Sequence, residues 1–108
     1  MLFRSEQIIK SSSDYKVRTK NLKKDVIENG GTGYELVRTN SPHSINEEQY
    51  SENYEYGLYE VYKDHTPRVA SYEFNPKTKK VFWISFSDLE SSKEIKFDRN
   101  LLKLFDCN

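Results

Sequence analysis

Along the first 28 residues, apolar and small side chains recur at alternating steps of four and three, the spacing of one face of an α-helix. The stripe comprises Ile8, Ser12, Tyr15, Thr19, Leu22 and Val26, and Ile9 and Ile27 widen it. Serines are poor helix formers but good N-caps, so the serines at residues 11–13 can end one helix and begin another. The pattern predicts an N-terminal amphipathic helix, either continuous or broken near Ser11 to Ser13, that ends at the glycine-rich residues 29–33.

The middle of the chain carries four segments with the period-two alternation and the β-branched and aromatic residues of strands. These segments are residues 34–39, 53–63, 68–74 and 80–86. Pro67 and Pro76 lie in the short turns between the later segments, so those strands are expected to form antiparallel hairpins. The segment 80–86 is apolar on both faces and is therefore expected inside the sheet.

Beyond residue 86 the sequence predicts short elements. Ile95 and Phe97 mark a short extended piece, and Asp98 can cap a last helical turn. The predicted fold is therefore α+β, with an N-terminal helix packed on a four-stranded antiparallel meander and a short C-terminal helical turn. The length of 108 residues is close to the modal size of a domain, so residues 1–108 are expected to form a single domain.

The second predicted strand carries tyrosines on both of its faces. Three of them share a face with Leu58 and are expected to point into the core: Tyr54, Tyr56 and Tyr62. Tyr59 lies on the other face, together with Glu55. Residues 40–52, which precede this strand, are polar and are expected to form a long exposed loop.

The 17 basic and 17 acidic residues of the chain cancel, so no net field draws it toward nucleic acid or an anionic membrane. They are unevenly placed, because residues 39–66 contain six acidic side chains and one basic side chain, Lys63. Such a segment is either a solvated surface or a docking surface for something basic. Nucleic acid is disfavoured here, since single-strand binding needs a basic groove beside the aromatic rings.

No segment has the residue types and spacing of a catalytic, metal or cofactor site. His43 lies in the long loop and His65 in a turn, and neither has a second ligand at metal-site spacing. The glycines near residue 30 follow a helix, whereas a phosphate-binding loop needs a strand before them.

Cys107 is the only cysteine, which favours a reducing compartment such as the cytoplasm. No apolar run suits a membrane helix or a signal peptide, and a leader upstream would instead indicate a surface or secreted protein.

The segment 72–82, with the turn Asn75-Pro76-Lys77-Thr78-Lys79, resembles the closing hairpin of small bacterial helix-plus-sheet domains of the PepSY-like and cystatin-like kind. Such modules carry an Asx-Pro-x-Thr-Gly turn and an aromatic return strand, and here Lys79 stands in place of the glycine. A helix followed by strands is also the order of NTF2-like folds. The resemblance implies a curved antiparallel sheet around one helix and a non-catalytic role, and it transfers no active-site residue.

Three hypotheses about function follow. The leading one is a non-enzymatic interaction domain, such as an inhibitor or immunity protein, that contacts a basic protein through the second strand and its preceding loop. Its candidate partner-binding residues are Tyr50, Glu52, Glu55, Tyr59 and Glu60. The second hypothesis is an NTF2-like small-molecule binder or enzyme, with Glu60 and Glu73 in a pocket between helix and sheet. The third is a structural module of a secreted or surface lipoprotein.

Overall fold

The computed structural model describes residues 3–84 and 92–103 and has an α+β fold, in which three helical segments pack on one face of a five-stranded antiparallel sheet. The helices are α1 (Phe3–Ser11), α2 (Ser13–Thr19) and α3 (Leu22–Glu28). The strands are β1 (Gly33–Asn40), β2 (Tyr54–Val61), β3 (Arg68–Asn75), β4 (Lys80–Ile84) and β5 (Ser92–Ile95), and they follow one another in the sheet in chain order. Short 3₁₀ helices cover Glu47–Gln49 and Arg99–Leu102.

The N-terminal amphipathic stretch is broken at its serines. Ser12 is the N-cap of α2, and its buried hydroxyl accepts the N–H of Tyr15 at 3.4 Å and donates to the carbonyl of Ile9 at 2.6 Å. A second break, which the pattern did not predict, falls at residues 20–21 before α3. Ile27 was expected to widen the buried stripe but is 51% exposed, because its neighbour Val26 occupies the side of α3 that faces the sheet.

The sheet has five strands, so the expectation of four was wrong. The extended piece predicted around Ile95 is β5, which pairs antiparallel with β4 and buries Ile95 against Val81. Three of the four residues of β5 are polar and exposed, so its sequence has little of the alternation and β-propensity that marks the other strands. β4 consequently lies between two neighbours, as its apolar faces predicted; residues 85–86 of that segment lie outside the described residues.

The turn between β3 and β4 uses Lys79 in the left-handed region, at φ 59°. The side chain of Asn75 accepts the N–H groups of Lys77 and Thr78 at 2.9 and 3.2 Å, and the N–H of Lys79 donates to the Asn75 carbonyl at 2.8 Å. These bonds hold the hairpin closed although a left-handed lysine costs roughly 1 kcal/mol or more.

A polar network inside the helix–sheet layer joins α2 to β3. The hydroxyl of Tyr72 donates to Asp14 at 2.6 Å, and Arg18 donates to the same carboxylate at 2.9 and 3.1 Å. Burial by itself would raise the pKa of Asp14, but the hydrogen bonds from Arg18 and Tyr72 outweigh it and hold that pKa below its usual value. Burial, followed by the bond to Asp14, raises the pKa of Tyr72.

The C-terminal helical turn begins where the sequence predicted it, since the Asp98 side chain accepts the N–H of Asn100 at 3.0 Å at the start of Arg99–Leu102. Among the described residues, no helix has both the length and the apolar character needed to cross a membrane.

Candidate functional site

The sheet face opposite the helices is an open face in the described part of the chain, since the three helices all pack on the other side. Strand alternation places nine residues in its centre: Glu35, Val37, Glu55, Gly57, Tyr59, Ser71, Glu73, Phe82 and Ile84. Most of these side chains are partly or fully accessible, whereas their helix-side neighbours in β2 and β3 are largely buried. We call this side of the sheet the open face.

A β-bulge in β3 places a basic side chain on the open face. Leu58 lies opposite Ala70, but Tyr59 lies opposite Arg68, so Val69 is an extra residue in β3. Uninterrupted pairing would set Val69 opposite Tyr59 and turn Arg68 toward the helix side. Bulges often redirect a side chain in this way. The bulge therefore brings Arg68 beside Tyr59.

Tyr59 lies directly over Gly57, where an added Cβ would sit 2.7 Å from the tyrosine ring. The guanidinium of Arg68 lies 5.1 Å from the centre of that ring, and its Nε donates to the Tyr59 hydroxyl at 3.1 Å. A second nitrogen of Arg68 donates to Ser71 at 3.2 Å. Gly57 is needed for this arrangement, because any other residue would displace the ring.

Two carboxylates face each other across β2 and β3, since Glu55 is paired directly with Glu73. Glu55 accepts hydrogen bonds from Asn40 at 2.6 Å and from Ser51 at 2.7 Å, and Glu73 accepts one from Asn53. These donors are neutral, so they orient the two carboxylates without cancelling their charge. Among the described residues, neither carboxylate forms an ion pair with a lysine or arginine.

A hollow of about 290 Å³ lies between the carboxylate pair and Arg68. The residues that line it are Thr39, Glu55, Tyr56, Arg68, Ser71, Tyr72, Glu73 and Ile84. These lining residues include no histidine or cysteine, and the described residues contain no group of three or more His, Cys, Asp or Glu arranged for a metal ion. The arrangement suits the binding of a cationic group by two oriented carboxylates.

The structure brings two of the five predicted partner-binding residues, Glu55 and Tyr59, onto the open face. Glu60 lies on the helix-side face of β2, where it accepts a hydrogen bond from the Tyr62 hydroxyl at 2.8 Å, and this bond raises the pKa of Tyr62. Tyr50 and Glu52 are exposed in the loop before β2. That loop is tied to the open face, because Ser51 between them donates to Glu55.

Two residues of the open face, Gly57 and Arg68, were not part of the predicted binding surface, and neither was the pairing of Glu73 with Glu55. A glycine inside a central strand is a known sign of close approach by another group, so Gly57 was a usable signal. Alternation along β3 places Glu73 on the face of Ser71, which also could have been seen. The position of Arg68 could not be predicted from the sequence, because the bulge decides on which face of the sheet its side chain lies.

The two histidines make aromatic contacts at the edges of the fold. His43 Nε2 lies 2.8 Å from the Tyr54 hydroxyl, and the two rings are 5.8 Å apart. His65 stacks on Tyr62 at 4.8 Å in the turn between β2 and β3. Both residues therefore have neighbours that account for their positions.

The pocket required by the NTF2-like hypothesis would lie between helices and sheet. In the described residues this space is filled by Ile8, Leu22 and Val26, which pack with Leu58, Tyr72 and Phe74, all at most 8% exposed. A groove of about 590 Å³ lies at the outer edge of this layer, beside β1, and neither Glu60 nor Glu73 lines it.

No protein-family model, curated protein or solved structure matches this chain. The similarity to PepSY-like and cystatin-like domains therefore stays a prediction, and the open face is interpreted from its own geometry.

Proposed function

We propose that this protein is a non-enzymatic interaction domain that binds a basic protein partner through the open face of its sheet. The observation that carries this proposal is the pair of Glu55 and Glu73, which lie directly opposite each other with neutral donors around them. Like charges in such a pair destabilise a sheet. A lysine or arginine from a partner would relieve the repulsion and form charge-assisted hydrogen bonds with both.

The surroundings of the carboxylates support a protein partner. Tyr59 offers a large ring with few rotamers, and Arg68 holds it in place. Val37, Phe82 and Ile84 add accessible apolar area beside the charges. Tyr50 and Glu52 extend the surface into the adjoining loop, whereas Glu60 on the other face takes no part. One such partner is a basic enzyme whose active site this face covers. The present protein would then act as an inhibitor or immunity protein.

The proposal is tested by titrating the ¹⁵N-labelled protein with a tetralysine peptide in about 0.1 M salt, where the Debye length is roughly 10 Å. We expect the largest amide shifts at Glu55, Tyr59 and Glu73. The double variant Glu55→Gln/Glu73→Gln keeps the hydrogen-bond acceptors but removes both charges, and it should weaken binding about tenfold or more, as close charge pairs at interfaces do. Binding is measured by calorimetry.

The matched control is Asp25→Asn/Glu28→Gln, which removes two exposed acidic charges from α3 and changes the net charge equally. Its affinity for tetralysine should stay within about twofold of the wild type, because screening limits the reach of a distant exposed charge. If both double variants lose the same affinity, the peptide senses net charge alone and the open face is not the site. The third hypothesis, a structural module of a secreted or surface lipoprotein, stays a prediction.

A further inference from the structure

The outer edge of β1 has no strand beside it in the described part of the sheet, since β1 is the first of the five strands and pairs with β2 alone. With eight residues it is twice as long as β5 at the opposite edge. Long free edges present unpaired backbone groups that can bind another extended chain. Which backbone groups of β1 are free follows from the bonding of β2.

The even-numbered residues at the end of β2 bond to the β3 side. The N–H of Glu60 donates to Pro67, and the N–H of Tyr62 donates to His65. Because backbone groups alternate in direction along a strand, the odd-numbered residues of β2 bond to β1. The hydrogen bond of Val61 follows this rule, since its carbonyl accepts the N–H of Thr32, the residue that precedes β1.

The register between β1 and β2 then shows which residues of β1 direct their backbone groups toward β2 and which direct them away from the sheet. Glu35 and Val37 lie opposite odd-numbered residues of β2 and direct their backbone groups inward. Tyr34 and Leu36 lie opposite even-numbered residues, so their N–H and C=O groups point away from the sheet. A further strand placed beside residues 33–37 of β1 would find its hydrogen-bond partners at these two residues.

A groove of about 590 Å³ accompanies this edge, between β1 and the helices. It follows the strand along residues 32–36, and its other wall carries Lys10 of α1, Tyr15 of α2 and Lys23 of α3. Five residues of extended chain span roughly 17 Å. The groove thus has the length of a short peptide strand, with aromatic surface from Tyr15 and Tyr34 and two ammonium groups on its helix side.

The charge of this wall indicates the chemistry of the occupant. Lys23 is exposed and forms no ion pair among the described residues, and Lys10 is half exposed with Glu6 at 3.5 Å. Glu35 is the single carboxylate among the groove-lining residues of the described chain, and its side chain belongs to the open face of β1. The helix side of the edge is therefore basic, and the opposite side carries a carboxylate and Val37.

We infer that the edge of β1 binds an extended acidic peptide segment of another protein, which joins the sheet as a further strand. Side chains of a strand alternate between faces, so every second residue of this segment would face the lysines and carry a carboxylate. The intervening residues would lie beside Glu35 and Val37 and be uncharged. This surface differs from the open face of the proposed function in position and in charge, and the inference does not depend on that function.

A second copy of this chain fits the edge less well. Symmetric pairing of two β1 strands would keep the helices of both copies on one face of the joined sheet, so that the wall with Lys10 and Lys23 in one copy lies beside the same wall in the other. Like charges in such contacts disfavour a partner. Charge complementarity therefore selects the acidic segment.

The probe is a blocked hexapeptide of alternating valine and glutamate, added to the ¹⁵N-labelled protein, and the readout is the hydrogen exchange of individual amides. We expect exchange at Tyr34 and Leu36 to slow by tenfold or more when the peptide is bound. Exchange at Glu35 and Val37, which already bond to β2, should change by less than twofold. A hexapeptide of alternating valine and lysine should leave all four amides unchanged.

The charge variant is Lys10→Gln/Lys23→Gln, and its matched control is Lys16→Gln/Lys24→Gln, which removes two exposed lysines that do not line the groove. The first should weaken binding of the acidic hexapeptide about tenfold, and the control by less than twofold. Equal losses in both variants, or slowing at all four β1 amides alike, would overturn the inference. The inference would also be overturned if, without peptide, hydrogen exchange at Tyr34 and Leu36 slowed further as the protein concentration rises. That result would identify a second copy of the chain as the occupant of the edge.

Discussion

Tyr56 and Tyr59 lie three residues apart on β2 and on opposite faces of the sheet. Tyr56 is 3% exposed, its hydroxyl forms a hydrogen bond with Ser5 of α1, and burial raises its pKa. Tyr59 lies on the open face, where its hydroxyl accepts a hydrogen bond from Arg68. The same kind of side chain therefore joins a helix to the sheet on one face and displays an accessible ring on the other.

The two faces also differ in whether their carboxylates have a positively charged partner. On the helix side, the charge of Asp14 is matched by Arg18 and by a hydrogen bond from Tyr72. On the open face, Glu55 and Glu73 face each other with neutral donors around them. The first arrangement stabilises the fold, and the second is unfavourable for the sheet by itself. The uncompensated charge of Glu55 and Glu73 supports the proposed function of the open face.

The largest expected effect concerns packing. Phe74→Ala removes a ring that is 0% exposed and should lower the free energy of unfolding by about 3–5 kcal/mol. Phe82→Ala is the same change one strand away on the open face, and it should have less than half that effect because Phe82 is partly exposed. Urea unfolding followed by circular dichroism measures both. Equal losses would mean that the open face is packed as closely as the core.

The next effect separates the tyrosine hydroxyls of the two faces. Tyr72→Phe removes a buried hydrogen bond to a charged group and should lower the free energy of unfolding by roughly 1.5–3 kcal/mol. Tyr59→Phe, at the accessible hydroxyl beside Arg68, should stay within about 0.5 kcal/mol of the wild type. The same unfolding experiment applies. A large loss in Tyr59→Phe would show that the contact with Arg68 supports the fold as strongly as the helix-side network does.

A smaller effect depends on pH. Because the pKa of Asp14 is lowered in the folded protein, this carboxylate contributes stability that is fully present above its ordinary pKa of 3.8. That contribution is lost as the pH falls through the lower folded-state value. The difference in unfolding free energy between the wild type and Asp14→Asn should therefore be largest near neutral pH and shrink below about pH 4. Denaturant midpoints measured from pH 2 to pH 7 test this, and a constant difference would contradict it.

The smallest effect should have the opposite sign. Glu73→Gln keeps the acceptor for Asn53 but removes one of two opposed charges, so it should raise the free energy of unfolding by about 0.2–1 kcal/mol at low salt. The gain should fade in 0.5 M salt because the repulsion is screened. Glu94→Gln is the control, since Glu94 lies 3.8 Å from the Lys80 ammonium and has a favourable partner to lose. A stability gain in the control, or none in Glu73→Gln, would contradict the repulsion between Glu55 and Glu73.

Local sequence rules accounted for a large part of the fold. Alternation along β2 separated Tyr54 and Tyr56 from Tyr59, and the structure confirms that division. Asp98 was predicted as a cap, and the serines at residues 11–13 as a possible one, because their short side chains can accept backbone N–H groups at a helix start; in the structure the capping serine is Ser12. The same alternation also places Glu60 on the side of Leu58, so its inclusion in one surface with Glu55 and Tyr59 went against a signal already present in the sequence.

The chain by itself thus determined its α+β class and the side on which most strand residues lie, because each depends on neighbours within a few positions; it offered the break at the serines as one of two alternatives, and the structure has that break. Tertiary structure decided the rest. β5 is a strand because β4 pairs with it, although its own residues are mostly polar. Arg68 reaches Tyr59 because β3 inserts Val69, and Asn40 lies opposite Glu55 because of an irregularity in β1. Bulges form between two paired strands, so no alternation read along one strand reveals which side chain they redirect.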